Sequence, residues 1–141
     1  MLTNVNFWAV LLAMLSTMVV GTVWYTPKVF GTTWMRLAKI DPSKQGSAVV
    51  PILITLVVSF LSAWMLAVVV QLAYAANAGS SYLAVALLVS VLVWIGFVAA
   101  RFITHDAFEG RPGSLTILNI AHELVTFVVM GLIIGVWPPA L

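Results

Sequence analysis

Four long apolar segments constrain the fold of this chain more than any other feature of its sequence. They cover about residues 6–26, 49–76, 82–103 and 114–136. Each is long enough to cross a membrane, because about 30 Å of hydrocarbon requires roughly 20 apolar residues. The composition agrees, since 63% of the residues are hydrophobic and 7% are charged, which is too apolar for a soluble domain. The sequence therefore predicts one all-α integral membrane domain over residues 1–141, a bundle of four transmembrane helices.

The positive charges predict how this bundle is oriented. All six Lys and Arg residues lie in two loops that four spans would place on one side of the membrane. These are Lys28, Arg36, Lys39 and Lys44 in the first loop, and Arg101 and Arg111 in the second. Because positively charged loops stay in the cytoplasm, we expect a multi-pass protein of a cytoplasmic membrane with both termini outside.

The segment 29–40 follows the first span and reads as a short helix. Pro27 ends the preceding helix, and helical spacing then puts Phe30, Trp34 and Leu37 on one side. Such a helix is expected to lie in the cytoplasmic interface. The four cations of this loop, Lys28, Arg36, Lys39 and Lys44, are expected to contact lipid head groups. They serve either as simple anchors or in recognition of anionic lipids.

Small residues recur at helical spacing in two of the spans. Ala9, Ala13, Thr17 and Gly21 form a stripe along the first span, and Gly131 and Gly135 form a G-x-x-x-G pair in the fourth. Small residues at this spacing allow two helices to approach closely. In so short a chain they suggest a homo-oligomer or a place within a larger membrane complex.

Two tryptophans, Trp64 and Trp94, lie near the middle of the second and third spans. They are too deep for an interfacial aromatic belt, and an indole N–H in hydrocarbon requires an acceptor. We therefore expect both to face protein, where they pack or line a ligand site.

Polar residues inside or beside the last two spans form the candidate site. Asn119, His122 and Glu123 interrupt an otherwise apolar helix. Arg101 at the end of the third span is the nearest predicted counter-charge, and His105 and Asp106 extend the group. Ionisable residues within a membrane often mark function. The six residues are therefore predicted to form a polar site that opens toward the cytoplasm.

Three interpretations of this site remain open. In the structural one, Glu123 pairs with Arg101 while Asn119 and His122 form hydrogen bonds between helices. In the transport one, His122 and Glu123 relay protons or bind a small cation, because imidazole titrates near neutral pH. In the enzymatic one, the histidines and carboxylates bind a metal, but the chain lacks H-E-x-x-H or similar spacing.

The motif "WYTPKVFGTTW" is the first of several that resemble those of a known family. The chain resembles the domain-of-unknown-function 1761 family, small bacterial four-span membrane proteins without an established activity. The residues that carry the resemblance are Asn6, Trp8, Trp24, Tyr25, Pro27, Phe30, Gly31 and Trp34, "WIGF" at Trp94, "FEGRP" at Phe108, and Asn119, His122 and Trp137. The resemblance implies a bacterial inner membrane. At position 119 the family often has Asp, so a role for an ionised group there would be missing from this chain.

The leading prediction of function is a non-enzymatic scaffold or accessory subunit that acts through helix association. The alternative is an oligomeric transporter or channel for a small solute, linked to protons or ions and using the cytoplasm-facing polar site. Neither requires a cofactor or a metal. The expected partners are the lipid bilayer and other membrane chains, and no nucleic acid is expected.

Overall fold

The computed structural model describes residues 4–77 and 79–140. Residues 1–3, 78 and 141, which the predicted domain includes, lie outside the described residues. The described part is helical and contains four helices long and apolar enough to cross a membrane, which confirms the predicted all-α fold. The helices are α1 Phe7–Trp24, α2 Gly31–Leu37, α3 Val49–Ala76, α4 Tyr82–Val93, α5 Ala100–Glu109 and α6 Gly113–Val136.

Helix α1 is fixed at its start by Asn6. The Asn6 side-chain oxygen accepts hydrogen bonds from the backbone N–H groups of Trp8 and Ala9, which caps the helix. The Asn6 amide also donates to the carbonyl oxygen of Trp137 at 3.2 Å. The beginning of α1 and the end of α6 are therefore tied together at one end of the bundle.

The turn between α1 and α2 folds back tightly because of Gly31. The Gly31 N–H donates to the carbonyl of Thr26 at 2.9 Å, and the Phe30 N–H donates to that of Trp24 at 3.0 Å. A Cβ at position 31 would overlap the carbonyl oxygen of Tyr25. The short helix expected within segment 29–40 is therefore held against the end of α1, and it also contacts α6.

The third long helix is continuous from Tyr82 to Glu109 but changes its winding on the way. Residues Trp94–Ala99 form a π-helical turn between α4 and α5. The helix continues six residues beyond the predicted end of the span at 103 and stops at Gly110, whose φ of 65° suits glycine. The extra turns carry His105, Asp106 and Glu109 beyond the apolar part of the helix.

The four long helices pack in a ring in which α1 contacts α3 and α6, and α4 contacts α3 and α6. The G-x-x-x-G pair of α6 lies against α4. A Cβ on Gly131 would overlap the Ser90 hydroxyl, and one on Gly135 would come within 2.7 Å of Leu83. These glycines allow close packing within the chain, so they no longer argue for contact with a second chain.

The small-residue stripe of α1 also points inward. Ala9, Ala13 and Thr17 are buried, and the Thr17 hydroxyl donates to the Ser59 hydroxyl of α3 at 2.9 Å. Gly21 lies one turn farther along, where a Cβ would come within 3.8 Å of His122 Nε2. Beyond Ser59, toward its N-terminus, α3 leaves the bundle, and Val49–Val58 is exposed except for the half-buried Leu56.

Candidate functional site

The six residues predicted to form one polar site lie in two separate groups. Asp106 of α5 is buried and accepts a hydrogen bond from α6, and Arg101 and His105 of the same helix are exposed. His122 and Glu123 lie farther along α6, next to the end of α1. Within residues 4–77 and 79–140, Glu123 forms an ion pair only with His122, and Arg101 forms none. The pairing of Arg101 with Glu123 that the sequence suggests is therefore not found.

The Asp106 side chain links α5 to α6. Its side chain is only 7% exposed, and its Oδ2 accepts a hydrogen bond of 2.7 Å from the Thr116 hydroxyl of α6. The Arg111 side chain approaches Oδ1 at 3.8 Å and also binds Glu109 at 2.6 Å. Each carboxylate oxygen of Asp106 thus has a polar or charged neighbour, which suits a structural role. Arg101 and His105 line a shallow cavity of about 270 Å³ on its outer side.

His122 and Glu123 are placed differently. Nδ1 of His122 lies 3.3 Å from Oε1 of Glu123, and the two side chains are 13% and 28% exposed. Because adjacent helical positions diverge by about 100°, the pair is formed by side chains that bend toward each other. The carboxylate has an imidazole beside it but no Lys or Arg paired with it among the described residues.

Aromatic rings surround the imidazole. The ring centroids of Tyr25 and Trp24 lie 5.0 Å and 5.8 Å from that of His122. Tyr25 is packed in turn on Trp34 at 5.1 Å, and Trp24 on Phe30 at 4.5 Å. The end of α1, the turn and α2 thus form one aromatic wall, and His122 of α6 leans against it.

Two polar atoms lack hydrogen-bond partners among the described residues where His122 meets the aromatic wall. In the described part of the chain, neither Nε2 of His122 nor Nε1 of Trp24 has a hydrogen-bond partner, and both atoms are buried. Nδ1 of His122 faces the Glu123 carboxylate, so a proton on Nδ1 makes the bond to Glu123. Nε2 of the neutral ring then remains a buried acceptor beside Gly21.

A cleft of about 650 Å³ opens at this pair and runs between α1, α3 and α6. We call it the inner cleft. We call the end of the cleft that is lined by Tyr25, His122 and Glu123 its mouth. The rest of the lining is mainly apolar with several hydroxyl groups, and it includes Thr17, Met18, Thr55, Val58, Ser59, Ser62, Thr126, Phe127 and Met130. The exposed first half of α3 forms one of its walls.

A second cleft, of about 610 Å³, lies on the other side of Glu123, and we call it the vestibule. It is enclosed by α2, the end of α5 and the first half of α6. Lys39 and Arg111 line it together with Trp34, Glu109 and Asn119. Tyr25 and Glu123 belong to the linings of both clefts. We call these two side chains, together with His122 beside them, the neck between the vestibule and the inner cleft.

The remaining predicted residues are distributed around the bundle. Trp94 donates from Nε1 to the carbonyl of Ile120 at 2.8 Å. Trp64 also packs against the core, but its Nε1 has no hydrogen-bond partner among the described residues. The four cations of the first loop, Lys28, Arg36, Lys39 and Lys44, are exposed. Lys39 has a φ of 55°, unusual for a residue other than glycine.

The site offers side chains that can bind a ligand and accept or donate protons. In residues 4–77 and 79–140 there is no group of three or more His, Asp or Glu side chains that could hold a metal ion. What the neck offers is one carboxylate, one imidazole and a phenol next to a cleft of ligand size.

Sequence reasoning missed the contribution of Tyr25 and Trp24 to the site. Their distance from Phe7 and Trp8 along the first span suits an interfacial belt, and that interpretation hides any other role. The available signal is the motif "WYTPKVFGTTW", whose aromatic residues and Gly31 together build the wall around His122. The motif indicates that the segment folds back on itself, but it does not predict which residue of α6 contacts the segment.

A comparison with protein families agrees with this architecture. The family described as "Protein of unknown function (DUF1761)" matches residues 8–135, nearly the entire chain. The chain therefore belongs to that family, as the sequence motifs indicated. No curated protein and no solved structure matches the chain.

Proposed function

We propose that this member of the DUF1761 family is a transporter that moves a small solute through the inner cleft and exchanges protons at His122 and Glu123. The observation that carries the proposal is the carboxylate and imidazole pair, 3.3 Å apart, at the mouth of the cleft. An intramembrane carboxylate is costly unless it is paired or used. This one has a neighbouring imidazole, a side chain that can pass a proton to the carboxylate or accept one from it.

The proposed orientation places the vestibule in contact with the cytoplasm and both termini outside, in the inner membrane of a bacterium. The distribution of charge supports it, because all six Lys and Arg residues lie either between α1 and α3 or between residues 101 and 111, at the vestibule end. His122 lies level with the aromatic end of α1. The pair is then close to the cytoplasmic boundary of the membrane, where water in the vestibule can deliver a proton.

Transport requires that the inner cleft open alternately to the two sides. The first half of α3 is the element best suited to move, because Val49–Val58 makes few contacts with the rest of the bundle. Its second half is anchored by buried residues from Ser59 onward. The Thr17 to Ser59 hydrogen bond at 2.9 Å marks the boundary between the two parts. A hinge there would change access to the cleft without unfolding the bundle.

Proteoliposomes test this proposal directly. The purified chain is reconstituted with an entrapped pH dye, and small amines, carboxylates and sugars are added separately outside. At least one solute class is expected to drive proton movement in the wild type. Glu123→Gln should abolish that movement, while Asp41→Asn, which removes the same charge from an exposed loop, should not. Proton movement that is independent of every solute, or that is unchanged in Glu123→Gln, would overturn the proposal.

A scaffold function is the second candidate, and one observation favours it. The apolar side chains of Val49–Val58 are exposed on most of the helix surface, so a second copy or another membrane chain could cover them. Native mass spectrometry from a mild detergent, combined with the proteoliposome assay, distinguishes the two candidates. For a scaffold, Leu53→Ser and Val57→Ser, at exposed positions outside the lining of the inner cleft, should reduce the assembled mass, and no solute should drive proton movement in the wild type. For a transporter, both variants should keep the solute-driven proton movement.

A further inference from the structure

We propose that the inner cleft binds an organic cation with an apolar body, whose charge lies at Glu123 and whose body lies between α1, α3 and α6. This inference rests on the proposed function for its physiological meaning, but the binding is measured separately from transport. It identifies the class of solute, which the carboxylate and imidazole pair does not do by itself.

The charge of the cleft selects a cation. Among the residues that line the inner cleft, the ionisable side chains are Tyr25, His122 and Glu123. No Lys or Arg of the described residues belongs to that lining. A single carboxylate in a largely apolar setting attracts a positive charge more strongly than it would in water. The same carboxylate would exclude an anionic solute of equal size.

The aromatic residues add a second contribution of the same sign. Tyr25 lines the mouth of the inner cleft next to Glu123, and its ring packs against both Trp34 and His122. A cation at Glu123 therefore lies near the Tyr25 ring, whose face attracts positive charge. An ammonium or phosphonium carried on carbon groups loses less hydration energy here than a metal ion does, because it is already weakly hydrated.

The rest of the lining determines what else the solute must carry. Met18, Val58, Phe127 and Met130 present apolar surface, and the methionines can adapt to bodies of different shape. The cleft of about 650 Å³ lies in the usual range for organic ligands. Hydroxyl groups of Thr55, Ser62 and Thr126 are available for a few polar atoms.

The surroundings indicate where such a solute enters. Lys39 and Arg111 line the vestibule, so a cation approaching Glu123 from the cytoplasm meets positive charge before it reaches the neck. The wall contributed by Ile52, Thr55 and Val58 of α3 is exposed. Because apolar cations partition into membranes, entry between α1 and the first half of α3 avoids the vestibule.

Protons and the cation compete for the same carboxylate. A protonated His122, 3.3 Å from Glu123, neutralises the charge that the solute requires. The other charged or titratable groups at the neck or facing it are Tyr25, directly after α1, and Lys39, Glu109 and Arg111 across the vestibule. Raising the pH removes protons from the His122 and Glu123 pair, so binding of the cation strengthens with pH. One bound cation then displaces about one proton, which is the exchange that the proposed transport requires.

Tetraphenylphosphonium and tetraphenylborate provide a matched pair of probes, because they share size and shape and differ in charge. The chain is placed in nanodiscs of zwitterionic lipid, and binding is measured by equilibrium dialysis against empty nanodiscs. We expect saturable binding of tetraphenylphosphonium and none of tetraphenylborate. Binding should strengthen as the pH is raised, because protons and the cation compete for the same carboxylate.

Variants assign the binding to the neck. Glu123→Gln should weaken binding of tetraphenylphosphonium at least tenfold, and Asp41→Asn should leave it unchanged. Glu123→Asp keeps the charge and should retain measurable binding, so it separates loss of charge from loss of folding. His122→Gln should bind the cation with a weaker dependence on pH. Equal binding of both probes, or no saturable binding above empty nanodiscs, would overturn the inference.

The two proposals can fail independently. If tetraphenylphosphonium binds as expected but no solute drives proton movement, the cation site stands and the transport function is wrong. If an anionic or neutral solute drives proton movement and the phosphonium does not bind, transport stands and the assignment of a cation is wrong.

Discussion

Asp106 and Glu123 are both carboxylates held between helices, but their surroundings differ in kind. Asp106 accepts a hydrogen bond from Thr116 at 2.7 Å and faces Arg111. Glu123 has an imidazole at 3.3 Å as its only ion-pair partner within the described residues, and it lies where two clefts meet. Asp106 is 7% exposed and Glu123 is 28% exposed. Asp106 links α5 to α6, whereas Glu123 lines two clefts.

The difference shows that the partners of an ionisable residue in a membrane chain indicate whether it stabilises the fold or is available to bind a ligand. A buried polar group that has its hydrogen bonds stabilises the fold, and removing it leaves its partners unsatisfied. A carboxylate that is only partly paired contributes less to the fold, and its charge is available for binding. The sequence positions of Asp106 and Glu123 do not reveal which is which, because each directly follows a histidine.

Truncating each carboxylate to alanine is the strongest way to break this comparison. Asp106→Ala should lower the free energy of unfolding by about 2 to 3 kcal/mol, because Thr116 and Arg111 lose a charged partner. Glu123→Ala should change it by about 1 kcal/mol or less, as expected for a partly exposed pair. Binding of tetraphenylphosphonium should respond in the opposite order, with at least tenfold loss, or about 1.4 kcal/mol, only in Glu123→Ala. Reversible unfolding in mixed detergent and equilibrium dialysis provide the two measurements.

Thr116→Val is the control for the hydrogen bond between Thr116 and Asp106. If the hydrogen bond carries the effect, the double variant of Asp106→Ala and Thr116→Val should be less destabilised than the sum of the two single changes. Additive losses would mean that Asp106 stabilises the helices through something other than Thr116. Equal destabilisation by Asp106→Ala and Glu123→Ala would remove the distinction between the two carboxylates.

Gly31→Ala sharpens the comparison by moving the neck while leaving both carboxylates in place. The new Cβ would overlap the carbonyl oxygen of Tyr25, so α2 and the aromatic wall must shift. We expect a loss of about 1 to 2 kcal/mol in stability and a several-fold weaker binding of the cation. Gly46→Ala is the matched control, because a Cβ there meets nothing within 4 Å. Near-ultraviolet circular dichroism should change in Gly31→Ala alone.

Much of the architecture is predictable because apolar length dictates it. The four spans, the short helix near 29–40 and the end of α1 before Pro27 all follow from local composition and local backbone restrictions. The continuation of the third span through Glu109 does not follow from the same reasoning. Residues 104–109 are too polar for a span, and only the helical cap at Gly110 sets their end.

The site is less predictable because it depends on contacts between helices. His122 and Glu123 stand out within an apolar helix, but their neighbours come from α1 and α2, about a hundred residues earlier. Topology alone groups Arg101 with Glu123, but in the structure Glu123 pairs with His122. Which face of α6 meets the aromatic wall depends on packing, including the close approach of Gly131 to Ser90.

Trp94 and Trp64 extend the comparison to neutral polar groups. Trp94→Phe removes a hydrogen bond of 2.8 Å to the Ile120 carbonyl, and the expected loss is about 0.5 to 1 kcal/mol, as for other hydrogen bonds between membrane helices. Trp64→Phe should cost less, because the Trp64 N–H has no partner among the described residues. Thermal unfolding in the same detergent measures both. A larger loss from Trp64→Phe would show that its indole is satisfied in the membrane.

Asp41 is a third kind of carboxylate, exposed and hydrogen-bonded locally, and it gives the smallest effect. The Ser43 hydroxyl and backbone N–H, at 2.7 and 3.0 Å, lower the pKa of Asp41 below its ordinary value of 3.8. A lowered pKa means that the turn at Pro42–Lys44 is stabilised above the ordinary pKa, and that this contribution is lost as the pH falls through the lowered one. Carboxyl carbon NMR of the labelled protein should therefore show Asp41 titrating below 3.8. Ser43→Ala should move the titration back toward that value, because both the hydroxyl bond and the order of the turn are weakened. Titration at the same pH in both proteins would mean that Ser43 does not set the pKa of Asp41.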